Sequence, residues 1–551
     1  MRSSFAGFTT AQLAMRASQK ALDVTGQNIA NINTKGYTRQ RLDLISFSTG
    51  RGVSKYESSL NVKVGSGVLT TGLSQIRDPF LDIRYRNEVA NAGTQDQKLA
   101  IMKDLETVFD EVTKNGIQNQ ISDIATMLQK LSSEVGNSEF DSMVKSSSDV
   151  LTKMFNQYAK QLDSIRAEHE TNLDIDIDTI NDLLSNIHKL NETIKINHIH
   201  GNSALELQDQ RNSLIDELSG YMKIEVKYEI EQITDQVSVE VPKISLVGDT
   251  GKIPLIDGNF KTEISKETDA DGKTNIKMTM PDIITAPVPP ATDPVVTPQA
   301  PQEITEDITA GTVKGILDML NRSGEFDAGT ETVRGIGYYQ KSLDLLASKF
   351  AEAFNKANRE PVFNADGTPQ LDGSGNPVFT EKNLFASSEK DALGNPLPIT
   401  AKNIAISEEW NNGQIGITAS VKHNSPTGSN DNILNMISML SEKMEYKASV
   451  TDAGGITTEK SLFTGSFQEM FTNTGSMLAL DVKSTTSLLD NYVTISDEVA
   501  NMRDNISSVS LDEEGMNILH YQKSYNAAAR LMTALDEALN TVINSMGIVG
   551  R

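Results

Sequence analysis

Residues 511–546 read LDEEGMNILHYQKSYNAAARLMTALDEALNTVINSM, and their spacing decides the class of fold. Leu511, Ile518, Tyr525, Met532, Leu539 and Met546 recur every seven residues; Tyr521, Ala528, Leu535 and Val542 form a companion row three residues on, broken only at Glu514. A sustained seven-residue apolar repeat keeps one stripe of a helix against a partner helix, so the segment reads as coiled-coil material. Ser510 with Glu513 three residues later supplies a capping box at its start. Upstream, Leu488, Tyr492, Ile495, Val499, Met502, Ile506 and Val509 alternate at steps of four and three, a second helix that meets the first at Ser507 to Ser510.

The opposite end of the chain has the same character. Phe8, Met15, Leu22 and Ile29 recur every seven residues, with Ala11, Ser18, Thr25 and Ile32 between them, and the small residues of that second row permit close helix approach. Thr34-Lys35-Gly36-Tyr37 places a glycine where the helix stops and the chain turns. Inside, Ile117 to Val135 carries the four-three spacing, and Leu151 to Ile194 carries it over a stretch long enough for a helix of roughly 70 to 80 Å at 1.5 Å per residue. An eight-residue step from Ile165 to Leu173 resembles a stutter. Helical period returns from Ile336 to Ala353.

The period falls to two in Lys223–Ile230 and Val237–Val241, which read as strands, with turn signals at Gly248-Asp249, Asp257-Gly258 and Asp271-Gly272. Residues 285–302, TAPVPPATDPVVTPQAPQ, read as a surface linker unable to join a ladder. Residues 360–430 read as further short strands and loops. The expected fold is therefore mainly α with β-rich insertions, an elongated rod of discontinuous domains: 1–60 with 510–551 as a terminal helical assembly region; 61–225, 310–358 and 430–509 as a long helical bundle; 226–309 with 359–429 as the β-rich outer part. A length of 551 residues exceeds what one hydrophobic core sustains, in keeping with several domains.

Composition excludes several function classes. There is no cysteine, so disulfides, thiolate nucleophiles and cysteine zinc sites do not occur. A net charge of -24 opposes binding to nucleic acid phosphates or anionic membranes. Charge is uneven, however: residues 1–55 hold Arg2, Arg16, Lys20, Lys35, Arg39, Arg41, Arg51 and Lys55 against Asp23 and Asp43. That excess suits either a solvated helix face or an acidic neighbouring surface. The first residues lack the apolar core of a cleaved secretory signal, and no window reaches the length of a membrane span.

Four stretches carry a family resemblance. Gly26-Gln27-Asn28-Ile29-Ala30-Asn31-Ile32-Asn33-Thr34-Lys35-Gly36-Tyr37 resembles the N-terminal signature of flagellar rod, hook and hook-associated proteins, and the following Thr38-Arg39-Gln40 is similar to the hook-associated protein 1 version. Ile76 to Arg86 and Gln208 to Ser219 resemble that family specifically, and Leu511-Asp512-Glu513-Glu514 leading to Tyr521–Arg530 is similar to the axial protein C-terminus. The resemblance implies a structural subunit of the hook–filament junction, exported by the flagellar type III apparatus without a cleaved signal and arranged as about eleven copies around an axis. It implies as partners the chain itself, the hook protein, a second junction protein, and an export chaperone with the export apparatus. A distal rod or hook subunit is the nearest alternative; an adhesin or glycan-cleaving enzyme displayed on the filament base is another.

The residues expected to make subunit contacts are Phe8, Met15, Leu22, Asn28, Ile29, Asn31, Ile32, Gly36 and Tyr37 at one end, and Leu511, Ile518, Tyr521, Tyr525, Ala528, Met532, Leu535, Leu539 and Val542 at the other. Asn28 and Asn31 fit buried amide contacts; Tyr521 and Tyr525 fit either hydrogen bonds between subunits or ordinary core aromatics. No cofactor, metal or catalytic group is expected. His188, His198 and His200 lack an HExxH arrangement, and Asp174-Ile175-Asp176-Ile177-Asp178 lacks the glycine and terminal glutamate of a calcium loop.

Overall fold

The axis of the molecule is a single helix, α4 (Ser138–Ile199), 62 residues long and so roughly 90 Å from end to end. The computed structural model describes residues 6–47, 67–110, 116–234, 237–249, 251–258, 260–269, 272–285, 295–297, 299–328, 333–451, 454 and 456–545. The other helices, in chain order around α4, are α1 (Ala6–Ala30), α2 (Pro79–Phe109), α3 (Ile117–Ser133), α5 (Leu205–Tyr221), α6 (Thr312–Asn321), α7 (Ile336–Asn358), α8 (Glu408–Asn411), α9 (Asp431–Ser441), α10 (Phe467–Ser507) and α11 (Leu511–Ser545). The eight-residue step in α4 does not interrupt the helix. His169 sits buried in the gap, its Nε2 lying 3.0 Å from Asp104 Oδ2 of α2.

Chain order nests helices outside strands. After α5 come β3 (Ile224–Thr234), β4 (Val237–Val247), β5 (Lys252–Asp257) and β6 (Phe260–Lys261), one antiparallel sheet in sequence order; the terminal hairpin β1 (Gln40–Ser46) and β2 (Val68–Gln75) precedes them. Two further strands, β7 (Glu263–Thr268) and β8 (Thr274–Thr279), pair beside them. Ile244 and Leu246 pair with Ile256 and Ile253 across β4 and β5 and, with Leu255 at the bulge between, join the core that runs on through the helices. An aromatic cluster of Phe350, Phe354, Phe385, Trp410 and Phe467 ties α7, α8 and the start of α10 together, with Phe350 and Phe354 stacked at 4.6 Å. Gly311 opens α6 at φ +109, and a Cβ there would stand 2.2 Å from the Tyr221 carbonyl oxygen, so no other residue fits that crossing.

Several expectations are corrected. The stretch 285–302 does enter ladders: Ile283–Thr285 pairs with Val295–Thr297, and Gln302–Glu303 pairs with β8, because the residues between prolines keep their N–H groups. Positions 286–294 and 298 lie outside the described residues, as do Asp271, Met546, Arg2, Arg51 and Lys55. Met444–Thr451 and Thr457–Gly465 pair as antiparallel strands, not helix. The α10 row is only partly covered: Val499 and Val509 are buried, whereas Leu488, Met502 and Ile506 are exposed. The stretch 79–109, where spacing marked no helix, is the 31-residue α2, which packs on α4, α5, α6 and α10 and therefore has no single apolar stripe.

Candidate subunit-assembly site

The two ends of the chain form a helical hairpin. A Cβ on Gly7 would stand 2.9 Å from Leu535 Cδ1, while Arg39, just beyond the other end of α1, meets Glu513 and Glu514 at the start of α11, so the two helices run antiparallel. The face of α1 that is buried consists of small and polar side chains: Ala11, Ala17, Ser18, Ala21, Thr25 and Asn28. Phe8, Met15, Leu22 and Ile29, expected to make subunit contacts, are half-buried beside the seam, and Ile32 is exposed. With one partner helix, close approach buries the small row and leaves the large side chains to either flank.

On α11 the same division appears. Ala528 is buried, and Ile518, Tyr521, Met532, Leu535 and Leu539 are half-buried toward α1. Leu511, Tyr525 and Val542 are exposed, together with Met516, Leu519, Leu531 and Ile543. The lone interruption of the companion row, Glu514, is 1% exposed because it accepts a hydrogen bond from Arg39 Nε at 2.7 Å. Glu513, expected to close a capping box with Ser510, instead takes Arg39 Nη1 at 2.5 Å.

The signature loop between α1 and β1 is fastened by Asn28. Its Oδ1 accepts from the Gln40 N–H and from the Tyr37 hydroxyl, each at 3.0 Å, and its Nδ2 donates to the Gln40 carbonyl at 3.0 Å. Asn31, half-buried, donates to the Gln27 carbonyl at 3.0 Å and accepts from Thr34 Oγ1 at 3.2 Å. Gly36 takes φ +79, the conformation that glycine adopts without strain. Tyr37 is held protonated by burial, reinforced by Glu206, Asp209 and Glu514.

Below the hairpin, all four family-like stretches converge. The Thr38 N–H donates to Asp209 Oδ2 at 3.0 Å, and Gln75 Nε2 donates to Asp209 Oδ1 at 2.9 Å; burial outweighs these bonds and raises the Asp209 pKa. The Arg39 N–H donates to the Ser507 carbonyl at 2.8 Å, and Ile76 N–H to the Arg39 carbonyl at 2.9 Å. Two turns along α5, Asp216 takes Arg86 Nε at 2.7 Å and Arg503 Nη1 at 2.6 Å, while Arg77 Nε meets Asp82 Oδ2 at 2.5 Å. Arg503 also lies 4.3 Å from the Tyr85 ring centre. A cleft of roughly 790 Å³ separates the Asn31–Thr38 loop from Asp216, Arg503 and Ser507. The roles of Asp209, Asp216, Arg86 and Arg503 were not legible in spacing; the signal available was a pair of aspartates seven apart on one helix face.

Among the described residues no group of three or more histidines, aspartates and glutamates is placed to hold a metal, and no helix is long and apolar enough to cross a membrane. His188 faces Glu192 at 3.6 Å and His200 Nδ1 lies 2.8 Å from the Ile196 carbonyl, so the histidines do not converge.

Residues 102–372 match the family model described as the flagellar hook-associated protein FlgK helical domain, and residues 8–38 match that of the flagella basal body rod protein. The chain is 28% identical over 551 residues to flagellar hook-associated protein 1 of Bacillus subtilis (strain 168), covering 100% of both chains. It is 23% identical to flagellar hook-associated protein 1 of Escherichia coli (strain K12), covering 97% of this chain and 98% of that one. The solved flagellar hook junction protein FlgK from Burkholderia pseudomallei superimposes with a TM-score of 0.48 at 13% identity, over 78% of this chain and 100% of its own.

Proposed function

The chain belongs to the flagellar hook-associated protein 1 family, and we propose on that premise that it polymerises at the hook–filament junction through the α1/α11 hairpin. It is a structural axial subunit of the bacterial flagellum. The observation that carries the polymer reading is the half-finished seam: α1 covers one side of α11 and leaves Met516, Leu519 and Leu531 in water. An isolated helix hairpin gains little from such a face, whereas a neighbouring helix would bury each of these side chains for about 1.5–3 kcal/mol. Assembly in this reading completes the folding of the ends.

The finer features follow from the same reading. The hairpin region 1–60 with 510–551 is the assembly domain, the segments around α4 form the stalk, and the sheets of 226–309 and 359–429 lie outward. About eleven copies close a ring between the hook protein on one side and a second junction protein on the other. The chain leaves the cell through the flagellar export apparatus with an export chaperone as a partner. Its task is mechanical, and it carries no catalysis. Imaging cells that lack the gene tests the placement: complete hooks without filaments are expected, and absent hooks would contradict it.

A further inference from the structure

Arg211 on α5 is a buried cation with no carboxylate beside it among the described residues. It is 3% exposed, and its one hydrogen bond there runs from Nη1 to Asn191 Oδ1 of α4 at 3.2 Å. A guanidinium does not give up its proton in a protein, so titration cannot relieve the burial, and buried charges are ordinarily paired. The aspartates of its own helix cannot serve. Asp209 and Asp216 stand about 160° and 140° round α5 from Arg211. They are taken by Thr38 and Gln75, and by Arg86 and Arg503. Burial lowers the Arg211 pKa; Tyr228 and Glu240 oppose the fall, and the cations Arg77 and Arg86 deepen it. Glu240 itself is exposed on β4.

The side of this guanidinium left empty is the side that holds carboxylates elsewhere in the molecule. Arg77 gives Nε and Nη2 to the two oxygens of Asp82, and Arg334 gives the same pair to Glu325. In Arg211 the Nε is buried without a partner, and Nη2 makes no hydrogen bond among the described residues. Asn191 Nδ2, on the amide that Arg211 already touches, is buried and unpartnered as well. Turning that amide about gives no relief, because its NH2 would then face the Nη1 donor. The Tyr228 ring, 5.8 Å from Arg211 Cζ, offers a π face but no lone pair to these N–H groups. Both unmet atoms are donors, so the missing group is an acceptor, and the uncompensated charge calls for an anion where water would satisfy only the hydrogen bonds. So little of the side chain meets solvent that only a small ion is accommodated.

We propose that a small monovalent inorganic anion of the halide class binds between α4 and α5 on the Nε side of Arg211, next to Asn191. The ion completes the joint of the two helices, behind the face of α5 that carries Asp209 and Asp216. The site belongs to the single chain and does not depend on polymerisation. The test follows the melting temperature of the full chain at constant ionic strength while bromide replaces gluconate, an anion too large to enter. The wild-type chain should gain about 2–4 °C for each tenfold rise in bromide above its Kd. Arg211→Met and Asn191→Asp should show no such gain, the second because its carboxylate stands in for the ion against Nη1. Asn191→Asp should also melt in gluconate at least as high as the wild-type chain in bromide, and it decides the matter alone if Arg211→Met does not fold. Crystals soaked in bromide should carry an anomalous peak within hydrogen-bond reach of Arg211 Nε. A wild-type chain indifferent to bromide, a gain that survives in Asn191→Asp, or a peak with no stability response, an adventitious ion only, overturns the proposal.

Discussion

Arg39 Nε donates to Glu514 Oε1 across 2.7 Å, closing a contact between residues 475 positions apart. The same guanidinium reaches Glu513, so one side chain fastens the start of α11 to the end of the signature loop. Its partner Glu514 is almost wholly buried.

Arg39→Ala would strand that carboxylate, and removal of one member of a buried pair costs about 3–5 kcal/mol. The loss should be local, seen as faster amide exchange across residues 511–525 with the stalk unchanged. Arg39→Lys should recover only part of it, because a single ammonium does not span two carboxylates as a planar fork does. Unaltered exchange in Arg39→Ala would remove the link from the account.

Asn28→Ala deletes three hydrogen bonds at a buried position. Two partners are backbone groups of Gln40, so the expected cost is about 2–4 kcal/mol at the usual net value of each buried bond. Asn28→Asp should be at least as harmful, since an acceptor would then face the Gln40 carbonyl. Proteolysis within residues 31–40 is the readout.

Asp216→Ala leaves Arg86, buried and still charged, without its carboxylate, and leaves Arg503 only its longer 3.6 Å contact with Asp82. A loss of about 3–5 kcal/mol is expected in chemical denaturation of the stalk. The conservative Asp216→Asn should fall between, retaining acceptor geometry for one guanidinium.

Asp176 lies half-buried on α4, without a hydrogen-bond partner among the described residues, and burial pushes its carboxyl from the ordinary 3.8 up to about 6. A carboxyl whose folded value lies above its unfolded one favours folding only while protonated. Its contribution is complete below about pH 4 and is lost as pH rises through about 6. Asp176→Asn should therefore stabilise the stalk at pH 7 by on the order of 1 kcal/mol, after discounting for solvent screening, and leave stability at pH 4 unchanged. Destabilisation by Asp176→Asn at pH 7 would refute the assignment.

How much of this was legible depends on what faced each element. The ends of α10 and α11 were readable because each lays one stripe against one main neighbour, and α4 because its buried row keeps the four-three spacing along its length even though several elements cover it. In α2, Leu81 and Leu99 are buried on one side and Ala90, Ile101 and Leu105 on the opposite one, so packing against several elements erased the period. The 444–465 hairpin did carry a signal, the alternation of Tyr446, Ala448 and Val450, all buried, hidden by the helical runs on either side. At the seam the two helices meet through Ala11, Ser18 and Thr25, the small row whose spacing permits close approach, while Phe8, Met15 and Leu22 stay half-buried beside it. The charged junction was invisible because Arg39 and Glu514, or Asp209 and Thr38, meet only through the fold.

The most direct trial of the claim that the two ends drive assembly is incorporation of shortened chains into growing flagella. Chains lacking residues 1–32 or 515–551 should keep a folded stalk, with its thermal transition intact, and should fail to enter the structure. Entry of both shortened chains at the full-length rate would contradict it.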